Sequence, residues 1–574
     1  MMPETKFLCR ITVGVALLAL GLSCGAAQAP AVKTGREISG VVVSAKSGEP
    51  LAEAHVMLAR TRDRKQVAEM DTDAEGRFAF ESLSDGKFDL SASRRGYVAA
   101  SYEQRDSGVS TAIVTGEGLI STGLRFELLP QAAIYGTVVE DSGDPVSRAR
   151  ISLYRRDPYR GTGQIRRVAM TMADDVGNFE LPHLSPGAYF ACAMGSPWYA
   201  RRGRPPRGGA QDPASQARLA ALNVAYPPTC YPDVTDPQAA APIMLAAGDR
   251  VEVNLPMHPL PAVHLEVQLP SPDDRRGRIM PQFGMEMFGN SESMMASVAY
   301  TSSGNGGDAN GQQTVEIDGL PPGQYDVDLP GQNGETSKRM SVDAAANSPL
   351  IDLAAATPIA AVSGKVTMAG GGSFPVSSVV RFIPRQGNQE AVAQLAADGT
   401  FSIQTVRPGD YDVIVNLSGS QRPVNLLSAK GGTLSGSVLK VGSEAVVLTG
   451  TVGEAGATMN GVVKRDGVPK SGVFVVLAPA DLNAARWMWR INQSDSDGTF
   501  NMSSVAPGEY TVAAIEQGWT LDWSRPEVIA PYLARGVKVT VASGARTMDL
   551  KDVVDALPLN LPPGKASDVG TANR

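Results

Sequence analysis

Four histidines and four cysteines in 574 residues leave little from which to build a metal centre or an activated nucleophile. His55, His183, His258 and His264 show neither H-E-x-x-H nor H-x-x-E spacing, and His264 with Glu266 lacks a third ligand. The G-x-S-x-G string, Gly21 to Gly25, falls in the N-terminal leader, and no G-x-x-x-x-G-K-[ST] occurs. Aromatics make up only 6% and the net charge is −7, which argues against a nucleic-acid binder. No apolar run reaches the roughly 20 residues a membrane helix needs, so no transmembrane span is expected in the mature chain. What the sequence does have is glycine and proline, 60 and 40 residues, with a 43% apolar share that excludes wholesale disorder. Glycine lacks a three-residue period, which excludes collagen.

Residues 1–29 read as a signal peptide: Lys6 and Arg10, an apolar run from Ile11 to Leu22, then small residues ending at Ala27 and Ala29. Cutting after Ala29 would leave Pro30 first, so Ala27 competes. Cys24 is an alternative first residue carrying an N-terminal lipid anchor, although Gly21 stands where a leucine is expected. Cys9 belongs to the leader. Export then places Cys192 and Cys230 in an oxidising compartment, where they are either a disulfide pair or two small buried hydrophobes.

A repeat runs through the rest. Its first copy holds Asp73, Gly76, Phe78, Phe80, Leu83, Gly86 and Phe88; its second Asp174, Gly177, Phe179, Leu181, Leu184, Gly187 and Tyr189. The fourth and fifth copies carry Asp398, Gly399, Phe401, Ile403, Val406, Gly409, Tyr411 and Asp497, Gly498, Phe500, Met502, Val505, Gly508, Tyr510. A looser third copy has Gly311, Val315, Ile317, Leu320, Gly323 and Tyr325. Asp and Gly make a turn, the alternating apolar residues make a strand with one face inward, and Pro-Gly fits a type II turn before the next strand. A buried tyrosine after that turn can pin the corner through its hydroxyl. Upstream lie matching first strands around Gly40, Gly136, Gly364 and Gly461, and a terminal strand such as Val537 to Val541 closes each unit.

These spacings predict an all-β chain: a tandem array of about five seven-stranded Greek-key, prealbumin-like β-sandwich modules with two short loop helices. Sandwich 1 is expected at 37–130, sandwich 2 with a basic loop insertion at 133–260, a degenerate sandwich 3 at 262–357, sandwich 4 at 361–452 and sandwich 5 at 458–555. Residues 556–574 read as a disordered tail. One helix follows Asp212 and Pro213; the other is expected from Val528 to Ala534, capped by a box of Ser524 and Glu527. Five modules in line would extend on the order of 100 Å.

The G-x-V first strand, the D-x-x-G-x-F hairpin and the P-G-x-Y turn resemble the carboxypeptidase regulatory-like family, also described as transthyretin-like or prealbumin-like, over nearly everything from 37 to 555. The resemblance implies a non-catalytic module with a carbohydrate-binding-like fold, of the kind found in multi-unit secreted bacterial proteins. It implies no enzyme and no cofactor.

Several residues invite a binding role. Asp71, Asp73 and Glu75, and likewise Asp495 and Asp497, alternate around a glycine turn as calcium ligands do, or they cap backbone amides in a hairpin. Trp487 and Trp489, two apart, are expected on one face of a strand in the fifth unit, and with Trp519 and Trp523 they offer a platform for a sugar ring or fill a core. Arg155, Arg156, Arg160, Arg166, Arg167, Arg201, Arg202, Arg204 and Arg207 make a basic loop region that suits an anionic polysaccharide or headgroup, or is simply solvated. Met280, Met285, Met287, Met294 and Met295 suggest an adaptable surface or a loose core. The expectation is an exported scaffold, adhesion or protein-interaction protein in the periplasm, at the outer-membrane surface or outside the cell. Its expected partners are envelope proteins or glycans, met through module ends or an exposed sheet edge, with carbohydrate binding by the last module as the alternative.

Overall fold

The Asp-to-Gly turn places its carboxylate on backbone amides two and four residues ahead. In the first copy the Asp73 Oδ1 accepts from the Glu75 and Arg77 amides at 3.0 and 2.8 Å, and in the second Asp174 accepts from Val176 and Asn178 at 3.0 and 2.7 Å. The glycine that follows has positive φ and presses against the first strand. A Cβ on Gly399 (φ +82°) would stand 2.0 Å from the Val366 carbonyl oxygen. That contact carries a hydrogen bond, Val366 N–H to Gly399 O at 3.0 Å, and its counterparts from Val42, Val138 and Val463 to Gly76, Gly177 and Gly498 measure 2.8–2.9 Å.

In the computed structural model, which describes residues 35–105, 109–156, 165–200, 212–269, 281–294, 297–300, 313–329, 337–344, 351–352, 356–385 and 390–560, this turn is not a hairpin. In the first module it leads from Gln66–Asp71 in one sheet to Arg77–Leu83 in the other. The next turn carries the chain back to Gly86–Ser93 in the first of those sheets. Both are sheet-crossing arches, because the hydrophobic residues on either side must face one shared interior. The glycine of the second arch is not in a type II turn either: Gly86, Gly187, Gly323, Gly409 and Gly508 all have φ between +148° and +158°, more extended than that turn requires.

The tyrosine behind that glycine locks the arch. Tyr189, Tyr325, Tyr411 and Tyr510 each donate a hydroxyl hydrogen bond to the carbonyl four residues back, at 2.7, 2.6, 2.8 and 3.0 Å. The first module has Phe88 there, and the Thr115 hydroxyl serves the corresponding carbonyl of Ser84 at 2.9 Å. The bond is kept by a different donor.

Around these arches the chain is all-β, a tandem array of sandwiches. The first strand of each module lies between the post-turn strand, antiparallel, and a closing strand, parallel. Arg36–Ser44 sits between Arg77–Leu83 and Leu124–Leu128, and Ala360–Met368 between Thr400–Val406 and Val446–Val452. Five hydrophobic clusters follow one another along the chain, within 38–128, 132–257, 263–356, 360–452 and 457–554. The first, second, fourth and fifth bury both apolar residues of their repeat's strand and the third buries Ile317, and a fully buried side chain of this size contributes about 1.5–3 kcal/mol. In the fifth module Val537–Val541 is not the last strand: it pairs with Gly508–Ile515, and Thr547–Asp549 and Val554–Leu557 close the unit. Residues 556–560 are therefore held rather than a loose tail, with the Tyr532 hydroxyl donating to the Leu559 carbonyl.

Both expected helices form, at Pro213–Ala221 and Pro526–Leu533. The second starts on Arg525 with proline next and no side-chain cap, because the Ser524 hydroxyl turns to Asp522 at 2.8 Å instead of closing a box with Glu527. Among the described residues no helix is long and apolar enough to cross a membrane.

The modules are not an in-line rod. The fifth touches the first: Lys87 Nζ lies 2.6 Å from Asp495 Oδ2 and 2.7 Å from Thr499 Oγ1. Ala112 N–H donates to Asp495 at 3.1 Å, Ser496 N–H donates to the Ala112 carbonyl at 3.0 Å, and Val114 N–H donates to Ser496 Oγ at 2.8 Å. The fully buried Gln493 donates its amide to the Glu103 carbonyl and Thr111 Oγ1. These bonds cap the outer side of strand Ile113–Thr115, whose inner side pairs with Gly86–Phe88. An uncapped strand edge would leave its amides and carbonyls unpaired, and the seam supplies partners for them.

Candidate functional site: the cleft between the third and fourth modules

The two sheets of the fourth sandwich are joined along one side. Its strands run in one continuous order from Ala391–Gln394 at one end to Thr400–Val406 at the other, bent by the eleven-residue strand Ser420–Lys430, which pairs with both halves. The two terminal strands border a cleft of about 490 Å³, whose far wall is the third module. That volume lies in the range of small-molecule and peptide pockets.

Charge in the cleft is divided unevenly. Arg339 grips Asp328 with two contacts of 2.5 Å and reaches Asp326 at 3.4 Å. Glu390 is taken by Arg381 at 2.6 Å. Arg407 has no hydrogen-bonding or ion-pairing partner for its guanidinium among the described residues. Partial burial and then the nearby Arg339 charge lower its hold on its proton. Its backbone is fixed, since its carbonyl accepts the Tyr411 hydroxyl. Ile359, Ile403, Leu329 and the half-exposed Val392 supply apolar wall around it.

The sequence-derived candidates lie elsewhere. Trp487 is in a short 3-10 turn, Arg486–Met488, not a strand, so the alternation that would set it beside Trp489 on a platform does not exist. Trp489 and Trp523 are 5% and 4% exposed, in a second core on the outer face of the fifth module with Phe474, Ile515, Ile529 and Tyr532. Trp519 packs edge-on to Phe474 at 4.7 Å. The Arg486 guanidinium lies over the Trp523 and Trp489 rings at 4.1 and 4.9 Å, and burial lowers its pKa to about 10. The Trp489, Trp519 and Trp523 indoles pack into this second core, together with residues of the helix Pro526–Leu533.

The acidic turns are paired with protein side chains. Asp73 and Glu75 bind Arg77 at 2.8 and 2.7 Å, and Asp71 binds His55 at 2.9 Å. In the fifth module the Lys87 ammonium sits at Asp495. Cys192 and Cys230 are bonded across paired strands, and their disulfide lies in a seventh cluster with Tyr154, Met287 and Phe288, joining the second module to the third. There the buried Glu292 receives the Tyr154 hydroxyl at 3.1 Å and Arg167 at 2.6 Å, and Arg155 lies over the Tyr189 ring at 5.6 Å. Met287 belongs to this seam, and Met285 and Met294 pack on the third core. Residues 1–29 with Cys9 and Cys24, together with Arg160, Arg201, Arg202, Arg204, Arg207, Met280 and Met295, lie outside the described residues.

Sequence reasoning passed over Arg407, although the repeat marks it. The residue before the Pro-Gly pair or its equivalent is Ser84, Ser185, Pro321 and Ala506 in the other copies, all without charge. It also passed over Trp198, 78% exposed and set edge-on to Tyr199.

Residues 37–115 match the model of the carboxypeptidase regulatory-like domain. That match falls on the first module. Its matched span begins in that domain's first strand, takes in both arches and ends at the strand sealed against the fifth module. No curated protein matches the chain. Among solved structures, the chain is similar to the Bacillus anthracis TIE protein at 9% identity, covering 73% of this chain and 74% of that one, with a TM-score of 0.17. A Streptococcal ancillary pilin aligns at 10% identity over 50% of this chain and 98% of its own, TM-score 0.16. The shaft pilin SpaA from Lactobacillus rhamnosus GG aligns at 10% identity over 40% and 98%, TM-score 0.19.

Proposed function

We propose that the protein is an exported, non-catalytic scaffold or adhesion component of the cell envelope that captures a partner protein at a sheet edge. The observation that carries this reading is the cleft bordered by the terminal strands of the fourth sandwich. Two terminal strands face a cleft there, and edge strands are the part of a sandwich that pairs with an incoming chain. The match to the carboxypeptidase regulatory-like domain at the start supports a modular, accessory role. Polar side chains such as Asp73, Tyr411, Lys87 and Glu292 hold arches and seams between modules, which is what holding sandwiches in a fixed arrangement requires. A glycan platform on the fifth module gains no support, since two of its four indoles are buried.

The test uses the purified full chain. Crosslinking and pull-down from an envelope fraction should recover specific proteins, a glycan array should stay blank, and peptide and glycoside substrates should be returned intact. Turnover that scales with protein concentration would overturn the non-catalytic reading, and accumulation of unprocessed chain in the cytoplasm would overturn export.

A further inference from the structure

We infer that the cleft between the third and fourth modules binds an extended peptide carrying a carboxylate, with Arg407 receiving that carboxylate and the terminal strand Ala391–Gln394 receiving the peptide backbone. This rests on the partner-capture reading and names the ligand chemistry for it.

Four observations converge. The nearby carboxylates are already paired, Asp328 to Arg339 and Glu390 to Arg381; Asp328 and Asp326 act on Arg407 through space, but neither bonds its guanidinium. Arg407 is not needed to build its turn, because four other copies make the same arch with an uncharged residue. Its main chain is held by the tyrosine corner, so the guanidinium is presented from a fixed base. Finally, strand Ala391–Gln394 pairs with Val379–Pro384 on one side and with no other strand among the described residues. A planar guanidinium matches a carboxylate through two parallel hydrogen bonds, and a free strand side offers alternating amides and carbonyls to a chain laid along it. Val392, half exposed on that strand, and Ile403 give apolar footing for alternate side chains of the peptide.

The test is fluorescence polarisation with the full chain and a labelled pentapeptide of alternating valine and threonine ending in glutamate. Saturable binding is expected, weakened about tenfold or more by Arg407→Ala and partly restored by Arg407→Lys. The melting temperature should barely move in either variant, since the guanidinium makes no hydrogen bond or ion pair among the described residues. Amidating the peptide terminus and replacing its glutamate by glutamine separate the two carboxylates, and loss in either arm supports the assignment. Absence of binding, equal binding by Arg407→Ala, equal binding of a peptide with both carboxylates removed, or preference for a uronic-acid oligosaccharide would each overturn it. If the peptide fails while envelope proteins are still captured, this site assignment falls and the scaffold reading stands; if the peptide is cleaved, the scaffold reading falls.

Discussion

Removing Lys87 should cost more than removing its partner Asp495, and the difference follows from where each charge can go. The Asp495 side chain is 13% exposed and Lys87 36%. In Asp495→Asn the lysine swings into water, so the loss is about 1 kcal/mol, in the range of a screened surface pair. In Lys87→Met the carboxylate stays buried with only the Ala112 amide and neighbouring dipoles to hold it, which costs about 3 kcal/mol. The pH dependence separates the two further. Burial raises the Asp495 pKa more than the lysine and its hydrogen bonds lower it, so folded Asp495 holds its proton more tightly than the unfolded chain does. Its contribution to stability is therefore greatest below the unfolded carboxylate value and declines as pH rises through the raised folded value. Without Lys87 that value climbs and the decline extends to higher pH. The assay is urea unfolding of the full chain at several pH values, with crosslinking between the first and fifth modules reporting the seam directly. Equal costs for the two variants, or an Lys87→Met chain whose deficit grows on acidification, would refute the reasoning.

Three further outcomes can be checked. Tyr411→Phe and Tyr510→Phe should each destabilise by about 1 kcal/mol by orphaning an arch carbonyl, read by thermal melts, and Thr115→Val should do the same in the first module, where threonine replaces the tyrosine hydroxyl. Replacing Cys192 and Cys230 by alanine opens a loop with a sequence separation of 38. The loss should be about 4 kcal/mol on the chain-entropy relation, with limited proteolysis appearing first at the seam between the second and third modules. His258 has Asp141 at 2.6 Å and Asp233 at 2.9 Å on its two ring nitrogens, and these bonds raise its pKa. Its stabilisation is thus fully present below the unfolded histidine value and lost as pH rises through the folded one; urea unfolding of His258→Gln against the parent across that pH range should show the trend vanish.

What the sequence made legible is what each repeat does for itself. Asp73 on its own backbone, Gly399 against Val366 and Tyr411 on the Arg407 carbonyl are local relations, closed within four residues or between a turn and its own first strand. Alternation of Phe401 and Ile403 placed the core for the same reason. What stayed hidden depends on a second module. Asp495 reads as a possible calcium turn until Lys87, some 400 positions away, is seen to occupy it. Trp487 and Trp489 read as strand residues because nothing local announces the short 3-10 turn or the helix whose residues join Trp489 in the second core. Arg407 was visible as a departure from the small residues of its sister copies, but its significance needed the third module's Arg339 and Asp328 beside it.

Lys87 and Asp495 also set a limit on self-association. The two halves of the seam are complementary rather than identical, so the fifth module of one copy can meet the first module of another head to tail, and such contacts propagate into rings or filaments. Joined in one chain, the halves face each other at an effective concentration on the order of millimolar, which keeps the closed monomer dominant in dilute solution. A chain cut short before the fifth module would keep strand Ile113–Thr115 bare and could only cap it on a neighbour.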